Sequence, residues 1–179
     1  NALFVPSSPL PPTPVPNTLP RDFPPGTLLR IGPNGSGEGF LDGQGFIASM
    51  TVRPDPEEDV LVSRAWVRSK GFVEEEEKGE EYGGTLKANF YGGLSMLSTL
   101  ASNFVRFGGY PQKDTSNTAL SLHPLSPGRV LARMEQSLPT ELTVSKGGEV
   151  ATVLPFSTLG GTLPLTNPIS GGALSAHSR

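Results

Sequence analysis

The stretch "DVLVSRAWVRS", residues 59–69, alternates with a period of two and constrains the fold more than any other part of the chain. Val60, Val62, Arg64, Trp66 and Arg68 share one face; Leu61, Ser63, Ala65 and Val67 share the other. Successive side chains of a β-strand point to opposite sides of a sheet, so this spacing predicts a strand. "GRVLARMEQ" (128–136) alternates similarly, and "ELTVSKGGEVATVLPF" reads as two strands joined at Lys146-Gly147-Gly148, a hairpin signal. "GTLLRIG" (26–32) and "FIASMTV" (46–52) supply two more, separated by a Gly- and Asn-rich turn region over 32–45. The 22 glycines and 19 prolines exceed a fifth of the 179 residues. Dispersed among apolar runs, they fit the tight turns of an all-β architecture: a sandwich, a barrel or a propeller.

Two segments depart from that pattern. Residues 1–25 hold nine of the 19 prolines and read as an extended arm ahead of a folded region that starts at residue 26. Within "LSMLSTLASNFV" (94–105), Leu94, Leu97, Leu100, Ala101 and Phe104 fall at helical spacing between Gly92-Gly93 and Gly108-Gly109. Such a segment is either a short helix packed on a sheet or an interfacial segment touching lipid. Its polar face (Ser95, Ser98, Thr99, Ser102 and Asn103) carries no charge. No apolar run reaches the ~20 residues that span a bilayer as a helix.

Composition removes several function classes. With no cysteine there is no disulfide framework, thiolate nucleophile or zinc ribbon. The run "EEEEKGEE" (74–81) carries six negative charges and one positive. Setting its net −5 aside from the chain's −3 leaves +2, which offers no electrostatic footprint for nucleic acid. The run itself reads as a solvated loop or a helix start, because adjacent carboxylates repel. "GPNGSGEGF" lacks the Lys-Ser/Thr pair of a phosphate loop, and "DGQG" lacks the alternating ligands of a calcium loop. His123, in "LSLHPLSPGR", precedes a proline and reads as a surface turn residue. His177, in "ALSAHSR", is by itself one imidazole where a metal needs two or three protein donors. No nucleophile-elbow glycine pattern surrounds any serine. Residue chemistry alone therefore leaves the function open.

The order of the motifs is more specific than any one of them. The chain runs "LPRDFPPGTLLRIGPNG", "FLDGQGFI", "AWVRSKGFVEEEEKG", "SNTALSLHPLSPGRVLARMEQSLPTEL" and "ALSAHSR". From Leu19 onward this series resembles the N-terminal part of the carotenoid cleavage oxygenases, the family that includes the retinal pigment epithelial membrane protein. The resemblance implies an incomplete portion of a seven-bladed β-propeller, with the apolar segment near residue 100 as a short helical insertion. It implies a non-haem Fe(II) site held by four histidines, of which His177 matches the first, the other three lying beyond Arg179. It implies that Glu135 accepts a ring N–H from an iron-bound histidine, which fixes the tautomer of that ligand. Dioxygen is then the co-substrate, and a conjugated C=C bond of a carotenoid or apocarotenoid is cleaved to aldehyde or ketone products.

Further expectations follow from the same resemblance. Leu94, Met96, Leu97, Leu100 and Phe104 occupy the place of an apolar patch that dips into a membrane to collect the polyene. A peripheral, membrane-associated location in a plastid or the cytoplasm is implied, with no nucleic acid as partner. Gln44 and Ser178 replace residues that the family usually carries as aspartate and proline. Alternatives that keep the same scaffold are a carotenoid-binding module without catalysis and a retinoid isomerohydrolase using the same iron.

Overall fold

Residues 11–34, 43–77, 97, 101, 114–134 and 137–163 are described by the computed structural model of the chain. The alternating stretch forms a strand, β4 (Val60–Trp66), flanked by β1 (Thr13–Val15), β2 (Gly26–Asn34) and β3 (Gln44–Val52). They build one antiparallel sheet in the order β1-β4-β3-β2. The second half forms β5 (Ala119–Leu122), β6 (Arg129–Arg133), β7 (Thr140–Val144) and β8 (Val150–Leu154), an antiparallel meander in the order β5-β6-β7-β8. The hairpin predicted at Lys146-Gly147-Gly148 is the β7–β8 connection, closed by the Ser145 amide on the Glu149 carbonyl at 2.9 Å.

The two sheets pack face to face, β2 alongside β5 and β4 alongside β8. Ile47 from β3 and Ala65 from β4 meet Val130, Ala132, Leu142 and Val150 from the second sheet, with Val67 completing the cluster. Each fully buried aliphatic side chain of this kind contributes about 1.5–3 kcal/mol. Ser63, Ala65 and Val67, on one of the two faces that alternation set apart in β4, are buried toward the second sheet, while Trp66 on the other face is buried against Phe46 and Phe72. Arg64, on the opposite face, is exposed.

Part of the proline arm has a structural task. Thr13, Pro14 and Val15 pair with Val62, Leu61 and Val60, so the arm adds an outer strand to a three-stranded meander. Proline lacks an N–H and is tolerated in a strand at such an edge. The arm then follows the β3–β4 turn, where Asn17 Nδ2 donates to the Pro56 carbonyl at 3.1 Å.

A helix, α1 (Lys70–Glu77), follows β4. Ser69 caps it: its Oγ accepts the Phe72 amide at 3.3 Å, satisfying one of the otherwise orphaned N–H groups of the first turn. Phe72 is fully buried and stacks at 5.8 Å on Trp66. The glutamate run thus supplies the end of a helix rather than its start, and Glu76 forms a two-pronged ion pair with Arg68.

Candidate functional site: a buried polar junction between the sheets

Where the two sheets meet, polar residues from three separate segments are buried together. Asp114, Thr115, Ser116 and Asn117 precede β5, Ser69 caps α1, Ser137 precedes β7 and Thr140 begins it. Buried polar groups are costly unless each finds a partner, and these do. Asn117 Nδ2 donates to the Gly43 carbonyl at 2.7 Å. Ser69 Oγ donates to the Asp114 carbonyl at 2.8 Å. The Gly45 amide donates to the Thr115 carbonyl at 2.8 Å, and the Val67 amide donates to the Gly45 carbonyl at 2.7 Å.

Gly45 explains the last glycine of "FLDGQG". A Cβ there would overlap the Ser116 carbonyl oxygen and lie 2.9 Å from that of Thr115. The first sheet can approach the 114–117 segment only because that position has no side chain. Gly148, at φ +82°, plays a similar part in the β7–β8 turn: its carbonyl accepts from Ser49 Oγ at 2.5 Å, and a Cβ would overlap Thr51 Oγ1.

Asp114 is the charged member of the junction. Ser116 Oγ donates to its Oδ1 at 2.8 Å, and Ser137 Oγ approaches at 3.4 Å. Burial pushes the carboxyl up from the ordinary 3.8 to about 6, against the opposing pull of the Ser116 hydroxyl and the Lys70 amide. Ser116 Oγ also lies 2.7 Å from Thr140 Oγ1, which reaches the Pro155 carbonyl at 3.0 Å.

The position expected to support the iron, Glu135, follows Met134 of the junction in sequence. Residues 135 and 136 lie outside the described set, yet Met134 before them and Ser137 after them are 7% and 2% exposed. Thr115 Oγ1 meets Met134 Sδ at 3.0 Å. Of the residues expected at the site, Glu135 and His177 lie outside the described residues, as do Leu94, Met96, Leu100 and Phe104. Leu97 is described: it is helical and 59% exposed. Among the described residues no three His, Cys, Asp or Glu side chains gather into a metal site.

His123 differs from expectation. It does sit in a turn, where its amide closes the β5–β6 hairpin on the Arg129 carbonyl at 3.0 Å, but its side chain is only 5% exposed. Residues 155–163 fold back toward the sheet near it, and a pairing of segments that far apart leaves no local sequence signal. The Asp114–Asn117 cluster was also not singled out; its one local trace is the polar run "DTSNT" directly ahead of an alternating strand.

The family model described as retinal pigment epithelial membrane protein matches residues 6–179. The chain belongs to the retinal pigment epithelial membrane protein family. Among solved structures, a chimera of an apocarotenoid oxygenase with the retinal pigment epithelial protein matches at 26% identity and a TM-score of 0.61, over 90% of this chain and 30% of that one. The cobalt-substituted Synechocystis apocarotenoid oxygenase matches at 25% identity and 0.53, over 89% and 30%. A lignostilbene dioxygenase from Pseudomonas brassicacearum matches at 16% identity and 0.56, over 88% and 29%. The last likeness concerns the fold alone. A search of the curated proteins found no match. This family member spans about 30% of the length of the structures it matches, and its two sheets are part of a β-propeller of the carotenoid-oxygenase kind.

Proposed function

We propose that the chain is part of an Fe(II)-dependent dioxygenase that cleaves a conjugated C=C bond of a carotenoid or apocarotenoid to two carbonyl products. The observation that carries this reading is the family match over residues 6–179. The likeness to an apocarotenoid oxygenase that accepts cobalt supports a metal-dependent activity. Because the chain spans about 30% of those structures, the activity is proposed for the whole protein.

The described residues do not by themselves hold the iron. Their one imidazole, His123, uses Nδ1 to accept the Leu125 amide at 3.1 Å, and no third ligand-type side chain joins it and Glu141. In the proposal, His177 is an iron ligand and Glu135 orients a ligating imidazole through its free N–H. When bound, iron supplies activation of dioxygen for insertion across the double bond. The protein's share is to set the ligand tautomers and to wall the site with packed, dry structure.

The remaining assignments belong to the same proposal. Residues 1–25 are an arm and residues 26–179 a portion of the propeller. Leu94, Met96, Leu97, Leu100 and Phe104 form an apolar entry patch on a membrane surface in a plastid or the cytoplasm; the exposed, helical Leu97 supports that reading. The test is product analysis of the full-length protein given β-carotene, an apocarotenal or a retinyl ester under isotopically labelled dioxygen. Two labelled carbonyl fragments from a polyene are expected. Conversion of the ester alone would establish an isomerohydrolase instead, and binding of polyenes without turnover a carrier module.

A further inference from the structure

The N-terminal arm closes one side of the first sheet and turns a chemically different edge outward. In the order β1-β4-β3-β2, β1 is the end strand among the described residues. The main-chain groups of β4 divide by parity. The Val67 amide, just past β4, donates to the Gly45 carbonyl on β3 at 2.7 Å. Leu61, Ser63 and Ala65 therefore turn their main-chain groups to β3, and Val60, Val62 and Arg64 turn theirs away from it. Those of Val60 and Val62 meet Val15 and Thr13. Pro14, between them, lies opposite Leu61 and has no N–H to give. Its carbonyl points away from β4, in the plane of the sheet.

The same parity puts Pro12 and Pro16, which flank the strand, on the side of Pro14. Over residues 12–16 the outer edge thus offers carbonyl acceptors and no N–H donor. A strand added there would bury carbonyls of its own without partners, a cost that blunts natural sheet edges. Without the arm, the edge would be the main chain of Val60 and Val62 in the apolar run "VLV", a template for strand addition. Beyond the reach of the arm, the next such position on β4 is Arg64, an exposed cation, and charge also discourages pairing. The arm is fastened on both sides of its strand. A Cβ on Gly147, in the β7–β8 turn, would lie 3.6 Å from Pro12 Cγ. After the strand, Asn17 Nδ2 donates to the Pro56 carbonyl and Arg21 pairs with Glu57 at 3.0 Å.

We propose that residues 12–16 are an edge cap: they cover the β4 edge and present a donor-free edge that a second copy of this chain cannot extend. The cap stands whichever reaction the whole protein performs. Sedimentation velocity of the full-length protein over a concentration series tests it, with hydrogen exchange reporting on single amides. Combining Pro12→Thr, Pro14→Thr and Pro16→Thr restores three outward donors. This triple variant is expected to self-associate at a concentration at least about tenfold below the unsubstituted protein, with protected amides at positions 12, 14 and 16 in the associated form. Val15→Pro removes an inward donor instead. It is expected to free the arm and to lower protection of the Val60 and Val62 amides at least about tenfold. If the triple variant does not fold, Pro14→Thr alone, at an exposed position, is expected to associate in the same way, though more weakly. Association no stronger than that of the unsubstituted protein, association without protection at the substituted amides, or Val60 and Val62 still protected in Val15→Pro would each overturn the proposal.

Discussion

Among the described residues, two clusters of buried polar side chains are held by different means. At the junction around Asp114 the partners are hydroxyls and main-chain groups from several segments, and burial raises the pKa of one carboxyl to about 6. At Glu141 the carboxylate is held by a guanidinium that itself reaches solvent. The first arrangement is enclosed and joins the two sheets; the second borders an open cleft. Enclosure favours neutral hydrogen-bonding groups, because an unpaired charge there has no access to water, whereas a charge beside an opening can keep a partly hydrated counterion.

The largest expected effect is at the enclosed site. Gly45→Ala forces a methyl group into the Ser116 carbonyl and is expected to cost at least about 3 kcal/mol in urea denaturation, through overpacking that neither backbone can relieve. Removing the counterion at the other site comes next. Arg129→Ala leaves Glu141 buried without its cation and is expected to cost about 2 kcal/mol, below a fully buried pair because Arg129 is part-exposed. If Arg129→Ala proves as costly as Gly45→Ala, the two sites are equally enclosed and the contrast fails.

A pH series separates the sites further. Asp114 has a folded-state pKa raised from 3.8 to about 6, so folding favours its protonated form. Its stabilising contribution is full below pH 4, declines as pH rises to 6 and is absent above; this is the reverse of a salt-bridged carboxylate. The span corresponds to at most about 3 kcal/mol. Asp114→Asn keeps an acceptor without the charge and is expected to raise stability at pH 7 relative to pH 4.5, measured as the difference from the unsubstituted chain. A difference independent of pH would show that Asp114 is ionised throughout. The smallest effect is expected on the surface: Arg21→Ala removes a pair whose side chains are 85% and 72% exposed, and the denaturation midpoint should barely move.

The strands were legible because alternation is a local property. Val60–Trp66, Arg129–Arg133 and the β7–β8 hairpin needed only neighbouring residues to be read. The outer strand Thr13–Val15 was not, since it is defined by pairing with residues more than forty positions away, and its prolines argued for an unpaired arm. His123 and Asp114 were missed for a related reason: burial of each depends on segments brought together by the fold. Gly45 was visible as a motif glycine, but its cause, the close approach of Ser116, belongs to the junction. The membership of the family was legible in motif order, and the match over residues 6–179 bears it out.

The two histidines bring the account to its most direct test. His177 is proposed to bind iron, whereas His123, the one among the described residues, is engaged by Glu141 and the Leu125 amide. Metal analysis of the full-length protein should find stoichiometric iron, lost on His177→Ala and retained on His123→Asn, which keeps an acceptor for the Leu125 amide. Iron that survives His177→Ala, or a correctly folded full-length protein that binds none, would contradict the account.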